Sequence, residues 1–318
     1  MISCNPSYSA KILLFGEYSI LLGSSALSIP YNHFNAEFCF IQDDKNIDLK
    51  QAEESQQHLL ELLNYLEEFE NYIQILDLNR FRLDISNGLY LKSTIPNSYG
   101  LGSSGTVVAA VYSRYSFKNI SNKNLSEYEM EKLFKLFSHM ESFFHGTSSG
   151  IDPLSIYISK PLFISNERKP SIVEIPRNSV SENVSGFLLD TGESCKSNPL
   201  VTVFLDQFAT DGKLNEAAKL FVSLTDQCIN SLLSGNINDF RNSLLALSAF
   251  QLSNMHTLIP DKMIKVWKDG LESNSLIMKL CGSGGGGYLT AFTFDHNTAV
   301  QFLEKNKLLY MPIFFANS

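Results

Sequence analysis

Apolar residues along this chain follow two spacings, and the change from one to the other sets the first expectations. Ala10 to Gly16, A-K-I-L-L-F-G, is an apolar strand signal closed by a glycine turn, and Tyr18 to Pro30 has mixed periodicity. From Asp48 to Leu76 the period lengthens. Leu59, Leu62, Leu63, Leu66, Phe69 and Ile73 recur at helical spacing, with Glu53, Glu54, Glu61, Glu67 and Glu68 on the outer side. The pattern predicts one surface helix whose acidic run is a solvated face. Phe81-x-Leu83-x-Ile85 alternates, Asn87-Gly88 reads as a two-residue hairpin turn, and Leu89-Tyr-Leu91 resumes the strand. A glycine loop follows, then a helix predicted over Thr106 to Phe117.

Ser126-x-x-Glu129 is a capping box, and the helix it opens runs to about Phe144, with Gly146 as its stop. One face of that helix carries Phe134, Phe137, Glu141 and Phe144. A carboxylate between phenylalanines three or four residues away is costly to bury without a cation or hydrogen-bond donors, so Glu141 needs a partner. After S-S-G-I-D-P, a polar stretch from about Lys169 to Asn183 resembles a junction. It places a boundary near Ser179 and predicts domains of residues 1–178 and 179–318. Beyond it come a strand over Val184 to Leu189, helical segments near Gly212 to Leu233, Asn236 to Leu252 and Pro260 to Leu271, and a strand-like run from Ile277 broken by glycines. Helix-rich segments joined by strands give an α+β class.

Charge and cysteines narrow the function. A net charge of −8 with no densely basic segment gives no electrostatic footprint for nucleic acid or an anionic membrane. Cys4, Cys39, Cys195, Cys228 and Cys281 are widely spaced and contain no C-x-x-C pair, which argues against a disulfide framework and against zinc. A reducing, cytoplasmic setting is expected. The start, M-I-S-C-N-P-S-Y-S-A-K, has neither a basic nor an apolar leader region, so neither export nor insertion is expected.

Gly100-Leu-Gly102-Ser-Ser-Gly105 has the G-x-G-x-x-G spacing of a dinucleotide-binding turn. That reading requires a buried parallel strand directly before the loop and an acidic residue about twenty positions on. Here Ser93-Thr-Ile-Pro-Asn-Ser-Tyr99 precedes it, and Glu127 and Glu129 belong to the next helix's capping box, so NAD fails on context. No G-x-x-x-x-G-K-[ST] occurs either. What remains is a turn with unobstructed N–H groups entering a helix N-terminus, which is a phosphate seat, or else an ordinary strand-to-helix turn. Ser103 and Ser104 add hydroxyls that can reach phosphate oxygens or a hard cation such as Mg²⁺. A second loop, Gly282-Ser-Gly284-Gly-Gly-Gly287, holds more glycines than a tight turn needs, so something must approach that backbone closely. Lys11, inside an apolar strand and followed by Phe15-Gly16-Glu17-Tyr18, needs an acidic partner or an anionic ligand, unless it snorkels to the surface.

These segments together resemble the GHMP kinases and are most similar to the mevalonate kinases within them. Ala10-Lys-Ile-Leu-Leu-Phe-Gly-Glu-Tyr-Ser-Ile-Leu-Leu-Gly is similar to the family's first strand and turn, Pro96-x-x-x-Gly100-Leu-Gly-Ser-Ser104 to its phosphate loop, and Lys279-Leu-Cys-Gly-Ser-Gly-Gly-Gly-Gly to its C-terminal glycine loop. Glu141 with His145-Gly-Thr-Ser-Ser149-Gly-Ile-Asp152 resembles the E…H-G-x-P-S-G-I-D of mevalonate kinases. The likeness runs from residue 10 to about 292.

The resemblance implies a two-domain fold, an N-terminal ribosomal protein S5 domain 2-like half and a C-terminal ferredoxin-like α/β sandwich. It also implies an ATP- and Mg²⁺-dependent kinase of a small alcohol, mevalonate above all, in isoprenoid precursor synthesis. Asp152 would be the general base, with Lys11 holding it ionised. Ser104 and Glu141 would bind Mg²⁺. Pro96, Gly100, Leu101, Gly102, Ser103, Ser104 and Gly105, with Gly282, Ser283 and Gly284, would surround the nucleotide. Glu17, Tyr18, Ser149 and Gly150 would lie at the acceptor. The partner is a small-molecule substrate, with a homodimer left open. Asp152 could instead be a turn or helix cap. Two positions depart from the family pattern, with Tyr18 where G-E-H has histidine and Ser148 where H-G-x-P-S-G has proline. The first bears on the acceptor more than on the chemistry. Readings of other classes are a catalytically silent metabolite binder and a dinucleotide-dependent oxidoreductase.

Overall fold

The computed structural model describes residues 6–176, 184–194, 197–210 and 213–314. The boundary expected near Ser179 lies outside them. The chain forms two compact units, each discontinuous in sequence. The first comprises Met1–Lys11, Pro30–Pro96 and Gly102–Lys160; the second comprises Ile12–Ile29, Asn97–Leu101 and Pro161–Ser318. No helix among the described residues is long and apolar enough to cross a membrane.

Strands β1 (Ser7–Phe15) and β2 (Ala26–Phe40) contribute residues to both units. In the first unit, Ala36 to Phe40 of β2 pair antiparallel with β3 (Leu89–Ser93). Helix α1 (Leu49–Glu67) covers this ladder with Leu59, Leu62, Leu63 and Leu66, all buried, while its glutamates face solvent as expected. The predicted single helix breaks after α1, because Phe69 turns extended at φ −118° and starts a second helix, α2 (Glu70–Ile75). The break lets Phe69 and Tyr72 both pack on the His139 ring, at centroid distances of 4.9 and 5.5 Å. It also shifts the register, so Tyr72 is buried and Ile73 is 54% exposed. Side-chain packing outweighed the continuous period.

The hairpin expected at Asn87-Gly88 does not form. Residues Leu78–Ser86 are helix α3, capped by the Asp77 carboxylate, which accepts from the Arg80 N–H at 3.0 Å. Phe81 packs on Tyr115 at 4.6 Å while Leu83 is 58% exposed, so the alternation sampled a helix whose buried positions are Leu78 and Phe81. Asn87 and Gly88 donate back to Leu83 and Ile85 at 3.0 Å each and end that helix, and Gly88 then leads into β3. The turn chemistry was legible; the element before it was not. Helices α4 (Ser103–Tyr115), α5 (Glu127–His145) and α6 (Ile151–Ile158) complete the unit, with the Ser126/Glu129 capping box and the Gly146 stop both present.

In the second unit, Ala26 to Ser28 of β2 pair with β4 (Leu162–Ile164), and β4 with β5 (Pro170–Ile172). A separate antiparallel sheet uses β6 (Ser185–Asp190), β9 (Ile277–Leu280), β10 (Tyr288–Thr293) and β11 (Tyr310–Phe314), in the order β11-β6-β10-β9. A two-residue pair, β7 (Ala209–Thr210) and β8 (Lys213–Leu214), stands apart from it. Counted along the chain, the four sheet strands lie fourth, first, third, second, with helix His296–Lys305 between the last two. This is the ferredoxin-like arrangement that the resemblance implied. Between β6 and β9 lie helices Ser197–Phe208, Glu216–Ser234, Ile237–Asn254 and Asp261–Glu272. The last three follow the helical segments expected from sequence; the first was not anticipated.

Candidate active site

The first unit gathers the charged candidates around two short helix starts. Helix α4 is preceded by Gly102, a left-handed N-cap (φ 81°) with no side chain to hydrogen-bond the first-turn N–H groups, which leaves the uncapped helix start that a phosphate seat requires. Lys11 runs along this turn. A Cβ built on Gly102 would lie 3.0 Å from its Cγ and 3.1 Å from its Cε. One turn on, a Cβ at Gly105 would come within 2.7 Å of the Pro153 nitrogen and 2.9 Å of the Asp152 carbonyl carbon. Only glycine lets α4 and α6 approach this closely, and the approach carries Asp152 to the phosphate-seat helix.

Lys11, only 3% exposed, meets Asp152 at 2.9 Å. This is the acidic partner the buried lysine required. Asp152 stands in the first turn of α6, where the helix N-terminus also favours a carboxylate, and keeps 29% exposure. Glu141 is buried, and its partners are hydroxyls: Ser104 Oγ donates to Oε1 at 2.9 Å and Ser148 Oγ to Oε2. His145 Nε2 lies 3.1 Å from the same Ser104 Oγ. Burial first, and then the nearby Asp152 charge, push the Glu141 carboxyl up to about 7, against the pull of Ser148, Ser104 and Lys11.

That balance is the test of a cation. Asp152 pairs with Lys11 while Glu141 is held by the Ser104 and Ser148 hydroxyls, and such hard oxygen donors are those Mg²⁺ takes when it binds through one or two carboxylates and substrate phosphates. Among the described residues no group of three or more His, Cys, Asp or Glu side chains forms a closed metal cage. The oxygen donors present fit a Mg²⁺ site completed by substrate phosphates. Ser149 is exposed, and its Oγ lies 3.4 Å from the Ile151 N–H. Gly150 is the N-cap of α6, and Pro96 is half-buried at the start of the loop.

The second unit holds the remaining candidates. Gly100 and Gly282 meet backbone to backbone, a Cβ on Gly282 falling 2.8 Å from the Gly100 Cα. The close approach that the second glycine loop demanded thus comes from the protein's own chain. Leu101 is buried. Glu17 is sealed against Lys279 at 2.6 Å, and the Tyr18 hydroxyl donates to the Ser283 carbonyl while its ring packs 4.6 Å from Phe204. Gly284 packs its backbone on the Leu258 carbonyl.

Sequence reasoning left three members of these clusters without roles: His145, Ser148 and Lys279. Lys279 carried a usable signal, since Ile277-Met-Lys-Leu280 sets a lone cation in an apolar run just as Ala10-Lys-Ile-Leu does. His145 had none, because its partner Ser104 is 41 positions away, and Ser148 reaches Glu141, seven positions back, only across the turn between α5 and α6.

Residues 59–159 match the family model described as GHMP kinases N terminal domain. Over 317 residues the chain is 24% identical to a mevalonate kinase of Pyrococcus abyssi (strain GE5 / Orsay), covering 90% of this chain and 87% of that one. Its structure is similar to that of the Methanococcus jannaschii mevalonate kinase, with a TM-score of 0.65, 18% identity, and 98% of both chains covered. It is equally similar to Lactococcus lactis galactokinase complexed with galactose, with a TM-score of 0.66, 15% identity, and 99% and 94% covered. The two-domain architecture is that of these kinases, and the fold alone does not separate one acceptor from another.

Proposed function

We propose that this chain, a member of the GHMP kinase superfamily and an ATP-dependent phosphotransferase with an alcohol acceptor, phosphorylates the primary hydroxyl of mevalonate to give 5-phosphomevalonate and ADP. The observation that carries the reading is the 2.9 Å Lys11–Asp152 pair beside an uncapped glycine turn. In this reading Asp152 takes the proton from the acceptor hydroxyl as that oxygen bonds to the γ-phosphorus and the bond to the β-γ bridging oxygen breaks. Lys11, paired with Asp152 beforehand, faces the negative charge on the phosphoryl oxygens as it shifts. Backbone N–H groups from Gly100 to Ser104 orient the ATP phosphates, with Pro96, Ser103 and Gly105 shaping the turn. Gly282, Ser283 and Gly284 line the nucleotide from the second glycine loop. Ser104 and Glu141 would hold Mg²⁺, which would supply neutralisation of phosphate charge. Ser149 and Gly150, at the entry to α6, belong to the acceptor end.

One observation favours a second reading, a different small alcohol such as phosphomevalonate or a sugar. The Tyr18 hydroxyl proton is engaged by the Ser283 carbonyl, so Tyr18 turns a lone pair rather than a donor toward an acceptor. An ADP-release assay across mevalonate, phosphomevalonate, homoserine and galactose decides between them. Turnover with mevalonate above the others supports the first reading, and turnover with another alcohol and not mevalonate supports the second. No turnover with any would leave a silent metabolite binder.

A further inference from the structure

The chemistry above uses neither Glu17 nor Lys279, yet these two form the most completely buried ion pair among the described residues, with side chains 2% and 1% exposed. A buried pair of this kind is a poor way to gain stability, since well-packed apolar residues of similar volume do as well or better. What it supplies is direction. Lys279 Nζ donates to Glu17 Oε1 and to the Leu280 carbonyl, and lies 5.6 Å from the Phe15 ring centroid. Its backbone is fixed opposite Thr290 in the β9–β10 ladder.

The next residue reaches the same segment. Consecutive side chains of an extended chain point to opposite sides, but Tyr18 has φ 61°, a genuine outlier for an aromatic residue, and its hydroxyl meets Ser283 four positions beyond Lys279. Such a backbone persists only where its surroundings hold it. The loop that Tyr18 grips needs outside definition, because Gly282 and Gly284 to Gly287 bring no side chains to fix their own path. Among its anchors are Gly285 N–H to the Leu258 carbonyl at 2.7 Å, Gly287 N–H to the Glu193 carbonyl at 2.6 Å, Thr191 Oγ1 donating to the Gly287 carbonyl at 2.7 Å, and Tyr18. Gly282 in turn sets Gly100, the first residue of the phosphate turn, through backbone contact.

We propose that Glu17 and Lys279 are positioning residues, a buried clamp that registers the 282–287 glycine loop, Tyr18 and Gly100 so that the loop can receive substrate. The kinetic part of this rests on the kinase reading; the clamp itself does not. Glu17 on this account acts through Tyr18 and the loop without touching the acceptor.

Native-state amide exchange on the unaltered protein tests the clamp directly. Segments 16–24 and 279–287 should open together, with the same protection and the same response to low denaturant. Free exchange of the glycine loop while 16–24 stays protected would overturn the proposal, whatever the enzyme turns over. The paired variant Glu17→Gln with Lys279→Met then separates registration from stability. It should melt near the wild-type temperature, while loop exchange and the KM for the accepted alcohol each rise roughly tenfold and kcat changes less. Wild-type loop exchange and KM in a folded double variant would reduce the pair to packing. If that variant does not fold, the exchange pattern of the unaltered protein still decides.

Discussion

Two lysine–carboxylate pairs among the described residues have a buried lysine, one in each unit, and they differ in what lies around them. Lys11–Asp152 leaves its carboxylate 29% exposed beside a helix N-terminus, whereas Glu17–Lys279 excludes water almost entirely. An acid that must receive a proton needs a face open to substrate, and a clamp needs the reverse. Identical chemical partners are therefore assigned opposite tasks by access alone. This comparison can be broken by experiment at either end.

The largest effect is expected at the open pair. Asp152→Asn should keep the fold and ATP affinity while kcat falls by about 10² to 10⁴, the usual range for a general base. An unchanged kcat, measured alongside an ATP titration, would remove Asp152 from the mechanism. At the sealed pair, Lys279→Met alone strands a buried carboxylate and should cost about 3–5 kcal/mol in denaturant unfolding. A cost near zero would mean that Glu17 reaches water, and the contrast between the two pairs would collapse.

Glu141 supplies a third test, through pH. Its carboxyl stands at about 7 in the fold against an ordinary 4.5, raised by burial and by Asp152, so the fold favours the neutral form. That contribution is complete below about pH 4.5 and is lost as pH climbs through 7. Without metal, Glu141→Gln should therefore gain on the wild type over this window, by on the order of 3 kcal/mol at most. The same variant should need more Mg²⁺ for half-maximal rate, because an amide is the poorer ligand for a hard cation. Parallel stability curves for the two proteins would show that Glu141 ionises freely. The smallest effect belongs to Tyr18→Phe, which removes one hydrogen bond to Ser283. It should raise the acceptor KM by tenfold or less, with kcat nearly unchanged, as loss of about 1 kcal/mol of uniform binding would.

Legibility in the sequence followed the range of the interaction. The Ser126 capping box, the Gly146 stop and the isolated cation at Lys11 were readable because each signal sits within a few residues or in one element. The break at Phe69 and the helix at Leu78–Ser86 were not, since both are decided by rings on other elements, His139 and Tyr115. Asp77 as a cap was the one local sign of that helix, and the alternation of Phe81, Leu83 and Ile85 masked it. At the site, Glu141's need for a partner could be argued from its neighbours on one face, but the identity of Ser148 as a donor depends on the turn between α5 and α6. The resemblance, not the periodicity, supplied the proposed role of Asp152, whereas the hydroxyl of Ser104 was readable from its place at the helix start.

The sealed pair also constrains how the molecule comes into being. Glu17 and Lys279 are 262 residues apart in sequence. At ordinary rates of synthesis, roughly 13 to 50 s separate the appearance of the two side chains. Throughout that interval Glu17 lacks Lys279, so the second unit cannot close around the finished pair while the chain is being made. The first unit, whose three segments all lie before residue 161, is under no such delay. A nascent chain of this protein should therefore acquire protease resistance in two steps, the Lys11–Asp152 half well before the Glu17–Lys279 half.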